Sequence, residues 1–266
     1  MSIIEAILLG ILQGLTEFLP VSSSGHLVLG KTLLGIDPGE NVVFEVVVHA
    51  ATVLATITVL WKTIVQLCQQ TFRLKWNLET QYVCKLLISM IPVLVIGLFF
   101  KDSVEQMFGF GAGFVGCMLL LTALLLLLSR VVRYQARRPV GYFSALIIGI
   151  AQAIAVLPGL SRSGSTIATG LMLGVRKEEV AQFSFLMVLV PILGEAFLSA
   201  IGGDFSAANS GISTPTLIAG FVSAYVSGVL ACRWMIALVK KINLLWFSLY
   251  CFLAGSIAII FTWVIK

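Results

Sequence analysis

Two short polar turns, each set inside an apolar stretch, hold the residues of this sequence best suited to chemistry. The first turn lies at residues 20–26 and ends in His26. Glu17 precedes it, and Gln13 lies four residues before Glu17, so a helix would place both on one face. A carboxylate in an apolar segment is costly unless it faces protein, water or a ligand. We therefore interpret Glu17 and His26 as an acid–base pair beside a serine cluster formed by Ser22, Ser23 and Ser24.

The second turn, at residues 158–166, combines hydroxyl groups with Arg162. An arginine at membrane depth costs about 2.5–3.5 kcal/mol on insertion scales, so it needs a compensating anion. Its planar guanidinium fits phosphate oxygens, and a serine-capped helix start adds N–H groups and a positive dipole end. The turn therefore predicts an anion site, with candidate binding residues Ser161, Ser163 and Thr166.

The composition excludes a soluble enzyme. Hydrophobic residues make up 59% and charged residues 11% of the 266 residues, against roughly 45–50% and roughly 25% in soluble domains. Such a chain needs the bilayer as its solvent, which permits helix bundles or closed barrels. Its apolar runs are continuous rather than alternating, so we predict an all-α, polytopic integral membrane protein.

Six apolar runs are long enough to cross a bilayer, and two further apolar regions are interrupted by the polar turns. The six runs are Val42–Trp61, Val83–Phe100, Ala112–Ser129, Val180–Ile201, Thr216–Cys232 and Leu244–Ile265. The interrupted regions, Ile3–Leu34 and Tyr142–Leu173, are predicted to form re-entrant helix–loop–helix hairpins. We expect residues 1–266 to form a single membrane domain.

An internal duplication relates the two hairpins. When the sequence is displaced by 139 residues, identical polar residues align without a gap. The pairs are Gln13 with Gln152, Ser22 with Ser161, Ser24 with Ser163 and Glu40 with Glu179. Each copy, about residues 1–130 and about residues 140–266, then holds one hairpin and three spans. Because three is odd, the second copy is inverted, and broken helices from both copies are expected to meet.

The basic residues predict the orientation. The net charge is +5, but 13 of the 17 Lys and Arg residues fall in or beside four loops that this topology puts on one side; they are Lys62, Arg73, Lys75, Lys85, Arg130, Arg133, Arg137, Arg138, Arg176, Lys177, Arg233, Lys240 and Lys241. Lys31, Lys101 and Lys266 fall on the other side. By the positive-inside rule the rich side is cytoplasmic, both termini lie outside, and the charge implies no nucleic-acid partner.

The inverted topology also brings the candidate residues together. It directs Glu17, His26, Arg162 and two helix starts toward one place, which forms an anion site beside an acid–base pair. Glu45 and His49 lie four residues apart at the start of the first full span. They could line the same cavity or form a polar pair at the interface.

The two motifs resemble a known family. The run QGLTEFLPVSSSGH, from Gln13 to His26, looks like the first signature of the bacterial undecaprenyl-pyrophosphate phosphatase (bacitracin-resistance) family. The run PGLSRSGST at residues 158–166 looks like its second signature. Segments at residues 44–46 and 183–185 are also similar, so the resemblance covers nearly the whole chain in the correct order.

The resemblance implies an integral membrane phosphatase with an interdigitated inverted repeat. Such an enzyme removes the terminal phosphate of undecaprenyl pyrophosphate, recycles the cell-wall carrier lipid in the bacterial plasma membrane and confers bacitracin resistance. By position, its functional residues fall on Gln13, Glu17, Ser22, Ser23, Ser24, His26, Ser161, Arg162, Ser163 and Thr166. The partners implied are a polyprenyl pyrophosphate and the bilayer. The chain would act as a monomer or a homodimer, with the site opening toward the outer face.

A divalent cation, Mg²⁺ or Ca²⁺, is implied by the resemblance alone. Some members have Glu where this chain has Gln13, and a neutral amide is a poorer ligand for a hard cation. Glu17 is therefore the candidate metal ligand.

Two questions remain open at this level. Ser23 or Ser22 could attack phosphorus with His26 as the base, His26 could attack directly, or His26 could activate water. The alternative function is a phosphate or polyprenyl-phosphate transporter or flippase, because inverted repeats with broken helices are common in transporters.

Overall fold

A computed structural model describes residues 1–36, 42–131, 138–202, 211–239 and 243–264. In these ranges the protein has thirteen α-helices and no strand beyond one isolated β-bridge between Arg138 and Val175. The helices are α1 (Ile3–Phe18), α2 (Ser23–Leu33), α3 (Val42–Val59), α4 (Trp61–Thr71), α5 (Leu78–Phe99), α6 (Lys101–Phe108), α7 (Gly111–Val131), α8 (Tyr142–Ile154), α9 (Arg162–Met172), α10 (Lys177–Met187), α11 (Leu189–Gly202), α12 (Thr214–Val239) and α13 (Leu245–Val264).

Four of these helices, α5, α7, α12 and α13, are long and apolar enough to cross a membrane. A fifth span is possible if α3 and α4, which are bent by 77° at a short break, count as one. Large apolar side chains such as Leu98 and Ile257 point outward, 77% and 65% exposed. A helical protein with an apolar surface is a multi-pass membrane protein, as the composition predicted.

The fourth predicted span, Val180–Ile201, differs from the prediction. The chain forms two helices there, α10 and α11, which are separated at Val188. Pro191 favours the interruption, because in a continuous helix its ring would clash with the carbonyl of Met187 and it has no N–H to donate. The continuous apolar pattern concealed this break.

Both interrupted regions form pairs of short helices. The first pair is α1 and α2, and the second pair is α8 and α9. Helices α2 and α9 each have 11 residues, and their bounds differ by the offset of 139 found in the sequence. The division of the chain into two repeats stays a prediction.

Each helix pair packs against a helix from the other half of the chain. Helix α1 lies along α12, and α8 lies along α5. Glycine makes the first contact possible, because a Cβ on Gly10 would lie 2.5 Å from the Gly220 carbonyl oxygen and one on Gly14 would lie 2.5 Å from that of Ala224. Small residues allow such close backbone approach in membrane proteins. Neither half of the chain therefore packs independently.

The basic residues that predict the orientation are only partly described. Arg133, Arg137, Lys240, Lys241 and Lys266 lie outside the described residues.

Candidate functional site

Serine side chains begin both inner helices. The Ser22 hydroxyl accepts a hydrogen bond from the Gly25 N–H at 3.1 Å, and the Ser161 hydroxyl accepts one from the Gly164 N–H at 3.0 Å. Such caps satisfy N–H groups that have no partner within the helix. The capping predicted from the serine positions is confirmed. Ser22 has φ of 70°, which is unusual for a residue other than glycine.

The two turns contact each other. The Gly159 N–H donates to the Ser24 hydroxyl at 3.5 Å, and the Ser163 hydroxyl donates to the Leu19 carbonyl at 2.9 Å. A Cβ on Gly25 would lie 3.0 Å from the Gly159 Cα atom. The broken helices of the two halves therefore meet, as the inverted topology predicted.

Glu17 connects residues from both turns. Its Oε1 atom forms an ion pair with the Arg162 guanidinium. Its Oε2 atom accepts hydrogen bonds from Gln13 Nε2 at 2.8 Å and from the Ser23 hydroxyl at 2.6 Å. Glu17 is 9% exposed and Gln13 is fully buried. One oxygen of the buried carboxylate therefore contacts a serine hydroxyl, and the other oxygen contacts a guanidinium. This arrangement can serve phosphoryl transfer.

His26 lies elsewhere, in contact with a residue that the sequence analysis did not identify. Its Nδ1 atom donates to the Ser22 carbonyl at 2.7 Å, and its Nε2 atom accepts from the Tyr250 hydroxyl at 2.6 Å. The two rings are stacked, with centroids 5.6 Å apart. None of these contacts involves Glu17. The only feature of the sequence that could have indicated Tyr250 as this partner is the position of a tyrosine inside an apolar span.

A cavity opens between Glu17, Arg162 and helices α3, α10 and α11. Its polar lining consists of Glu17, Arg162, Ser163, Ser184, Thr52 and Thr56. Its apolar lining consists of Phe18, Val53, Phe185, Val188 and Ile192. Thr52 and Thr56 are one helical turn apart on α3, a spacing that could have identified them. The break at Val188, not foreseen in the sequence, lies at this cavity.

The remaining candidate hydroxyls hold the second turn in place. Thr166 donates to the Arg162 carbonyl at 2.9 Å and lies 2.6 Å from the Ser184 hydroxyl. The Ser161 hydroxyl lies 3.4 Å from that of Ser163. Of the predicted binding hydroxyls in this turn, only Ser163 lines the cavity.

His49 is the histidine that lies close to Glu17. Its Nε2 atom is 3.7 Å from Glu17 Oε2, and its Nδ1 atom donates to the Glu45 carbonyl at 2.8 Å. The side chain of Glu45 instead pairs with Lys31 at 2.6 Å. Lys31 was expected among the charges of the outer side, but it is fully buried in α2. The sequence left open whether Glu45 and His49 line the same cavity or form a polar pair at the interface. In the structure only His49 lies near the site, and the Glu45 side chain contacts Lys31 instead.

The chain matches one protein-family model over residues 6–257, that of bacitracin resistance protein BacA. This match covers both turns and nearly all the helices. The chain belongs to the BacA family.

Members of the BacA family with high similarity carry a common name. The chain is 54% identical over 264 residues to an undecaprenyl-diphosphatase of Bacteroides fragilis, covering 96% of this chain and 97% of that protein. It is 54% identical over 262 residues to an undecaprenyl-diphosphatase of Parabacteroides distasonis, with 97% and 98% covered. One of Christiangramia forsetii is 48% identical, with 99% of each chain covered. These names favour a phosphatase over the transporter alternative.

The family resemblance implies a divalent cation, and the side chains at the site show whether such a cation could bind there. Among the described residues, no three or more His, Cys, Asp or Glu side chains are grouped so that they could hold a metal ion. However, Gln13 Oε1 is buried without a hydrogen-bond partner next to the Glu17 carboxylate. Mg²⁺ usually binds through one or two carboxylates together with substrate phosphates and water. One carboxylate and one unpartnered amide oxygen therefore fit a cation that substrate helps to bind.

Proposed function

We propose that this protein is an undecaprenyl-diphosphatase of the bacterial plasma membrane. It hydrolyses undecaprenyl diphosphate to undecaprenyl phosphate and inorganic phosphate, and thereby recycles a cell-wall carrier lipid and confers resistance to bacitracin. The observation that carries this proposal is the contact of one carboxylate, Glu17, with both Ser23 and Arg162. Anion passage alone has no need of a serine held against a carboxylate.

Arg162 and the second turn bind the diphosphate. Two oxygens of a phosphate accept from the guanidinium fork, and the Ser163 hydroxyl and helix-start N–H groups supply further donors. These donors also stabilise the charge that develops on the transferred phosphoryl group. Ser22, Ser24, Ser161 and Thr166 contribute by fixing the two turns through the hydrogen bonds described above.

Ser23 is the nucleophile and Glu17 is its base. Ser23 Oγ attacks the terminal phosphorus, its proton passes to Glu17 Oε2, and the bond to the bridging oxygen breaks, releasing undecaprenyl phosphate. Water then attacks the phosphoserine. Glu17 returns its proton to Ser23 as the bond to phosphorus breaks, and both protons of the water leave with inorganic phosphate.

His26 acts on the first turn rather than on phosphorus. Both of its ring nitrogens have partners, the Ser22 carbonyl and the Tyr250 hydroxyl. Its Nδ1–H holds the peptide group immediately before Ser23. This contact makes His26 a positioning residue for the nucleophile.

A divalent cation, Mg²⁺ or Ca²⁺, would be held by Glu17, with Gln13 Oε1 as a second oxygen ligand. When bound, it neutralises charge on the diphosphate oxygens.

The prenyl chain lies against the apolar surface of the helices that surround the site. Phe18, Val53 and Ile192 face the same space as Arg162. The cavity itself has room for about one water molecule, so the prenyl chain lies outside it and only the head group approaches Arg162. The oligomeric state, a monomer or a homodimer, stays a prediction.

The finer architecture is six spans, of which the fourth consists of α10 and α11 and is broken at Val188, and two re-entrant hairpins, α1–α2 and α8–α9. Both termini and the opening of the site lie toward the outer face. Support comes from the lengths of these four short helices and from the basic loops. Labelling single cysteines from outside intact cells tests this orientation. We expect labelling at position 2 and protection at position 138, and the reverse result would overturn it.

The function is tested by phosphate release from undecaprenyl diphosphate by purified protein in detergent, with Mg²⁺, Ca²⁺ or chelator. We expect wild-type protein to release phosphate, and Ser23→Ala to release almost none while remaining folded. Substrate labelled with ³²P in its terminal phosphate should label wild-type protein transiently. Absence of release by folded wild type with metal present would overturn the proposal, and release by Ser23→Ala would exclude Ser23 as nucleophile.

A further inference from the structure

The two histidines of this chain have different surroundings. His26 Nε2 accepts a hydrogen bond from the Tyr250 hydroxyl, so its lone pair is satisfied. His49 Nε2 instead points toward a carboxylate oxygen, Glu17 Oε2, at 3.7 Å. The function proposed above does not use His49.

The carbonyl of Glu45 fixes the tautomer of His49. A carbonyl only accepts, so the contact with His49 Nδ1 at 2.8 Å requires the proton on Nδ1. In the neutral ring, Nε2 then carries a lone pair. In that neutral state a lone pair and a carboxylate oxygen face each other, and they stabilise each other only through a positive group between them, either a second ring proton or a metal ion.

A further buried acceptor belongs to Gln13, the residue that donates to the Glu17 carboxylate. Gln13 is fully buried, and its Oε1 atom has no hydrogen-bond partner. Its Nε2 atom lies 2.8 Å from Glu17 Oε2, so the amide oxygen is in the immediate neighbourhood of the carboxylate. A buried acceptor without a protein donor can accept a hydrogen bond from water or bind a cation.

We propose that His49 Nε2 is a ligand of the divalent cation at Glu17, together with Gln13 Oε1. This inference rests on the proposed function, in which such a cation assists hydrolysis. The arrangement of His49 is the one that metal-binding histidines adopt, with one ring nitrogen donating to a backbone carbonyl and the other left for the metal.

An imidazole ligand changes which cation the site prefers. Carboxylate and amide oxygens suit Mg²⁺ and Ca²⁺, whereas an imidazole nitrogen raises affinity for transition metals. A site formed by Glu17, Gln13 and His49 therefore binds Mn²⁺ more tightly than Ca²⁺. Arg162 contacts the other oxygen of Glu17, so cation and guanidinium flank one carboxylate and leave net positive charge for the diphosphate.

The test uses Mn²⁺ as the probe and electron spin-echo envelope modulation as the readout, because this method detects nitrogen bound to Mn²⁺. The protein must carry a purification tag without histidine, so that His26 and His49 are the only imidazoles. We expect an imidazole nitrogen signal in wild-type protein and in His26→Gln, and its loss in His49→Gln. A glutamine side chain binds Mn²⁺ only through its oxygen. The His49→Gln variant therefore keeps a polar side chain but gives no imidazole nitrogen signal.

Binding isotherms supply a second measurement that does not depend on hydrolysis. We expect His49→Gln to weaken Mn²⁺ binding by about tenfold or more, the scale seen when metal sites lose a supporting group, and to change Ca²⁺ binding much less. Loss of Mn²⁺ binding in Glu17→Gln would place the metal at this carboxylate.

Three results would overturn the inference: no binding of Mn²⁺ by folded wild type, bound Mn²⁺ without a nitrogen signal, or a signal that persists in His49→Gln. Each leaves the proposed function standing if phosphate release by the same preparation continues. Conversely, a nitrogen signal lost in His49→Gln, without phosphate release by wild type, would support the metal site and refute the phosphatase.

Discussion

Arg162 and Glu17 lie 145 positions apart in the sequence and form an ion pair that joins the two hairpins. The offset of 139 aligns Arg162 with Ser23, and it aligns Glu17 with Val156. The first hairpin therefore supplies a carboxylate and a hydroxyl, and the second hairpin supplies the guanidinium. Two similar turns have become chemically different, and the site requires both.

Replacement of Arg162 tests this division. Arg162→Ala should reduce phosphate release by roughly 10²–10³-fold, the usual scale for losing one group that stabilises transition-state charge. Arg162→Lys should be intermediate, because lysine keeps the charge but cannot form the planar two-oxygen contact. The measurement is kcat/KM for phosphate release by detergent-purified protein.

A matched control is Arg176→Ala. Arg176 pairs with Glu179 at 2.8 Å, but its side chain is 55% exposed. Exposed ion pairs contribute about 0–1 kcal/mol, so this variant should hydrolyse lipid like wild type. Equal losses in both variants would indicate a general effect of removing arginine rather than a role in the site.

Backbone strain at Ser22 predicts an unusual order of stabilities. A positive φ costs residues other than glycine about 1–2 kcal/mol, and Ser22 has φ of 70°. Ser22→Gly relieves this strain and loses only a few tenths of a kcal/mol from the cap, whereas Ser22→Ala loses about 1 kcal/mol and keeps the strain. Thermal unfolding in detergent should therefore rank the glycine variant above the alanine variant. The opposite order would contradict backbone strain at position 22, because neither variant retains the serine hydroxyl that forms the cap.

The sequence was sufficient to predict the parts of the site that depend on local signals. Serine caps, turn glycines and the 139-residue offset identified both helix starts and indicated that they meet. The partners of the histidines could not be predicted in this way. Tyr250 reaches His26 from 224 positions away, and His49 faces Glu17 only because α3 packs beside α1. The break at Val188 was hidden because hydrophobicity does not register the missing N–H of Pro191.

The ion pair between Lys31 and Glu45 should show strong coupling. The Lys31 side chain is fully buried and that of Glu45 is 13% exposed, and removing one partner of a buried pair costs about 3–5 kcal/mol. We expect Lys31→Met and Glu45→Gln each to lower the unfolding temperature sharply, and the double variant to recover part of the loss. A double-mutant cycle on thermal unfolding measures the coupling. Additive losses would contradict a direct interaction.

Tyr250→Phe should impair turnover without weakening substrate binding. The variant keeps the ring stacked on His26 but removes the hydroxyl that donates to Nε2. His26 then holds the turn before Ser23 less firmly, and loss of one hydrogen bond of about 1 kcal/mol corresponds to a several-fold decrease in kcat. Steady-state kinetics should show unchanged KM. A raised KM with unchanged kcat would assign Tyr250 to lipid binding instead.

Gly116 and Gly255 should be intolerant of larger residues because the backbones of α7 and α13 touch there. The two positions are 139 residues apart, and a Cβ on either would lie 2.7–2.8 Å from the carbonyl oxygen of the other. Gly116→Leu should therefore separate the helices and lower the unfolding temperature by several degrees, since overpacking costs about 1–3 kcal/mol. Gly97→Ala is the control, because no atom lies within 4 Å of its added Cβ. Alanine there should leave stability unchanged or raise it by about 0.5–1 kcal/mol, and a tolerated leucine at position 116 would contradict the close contact.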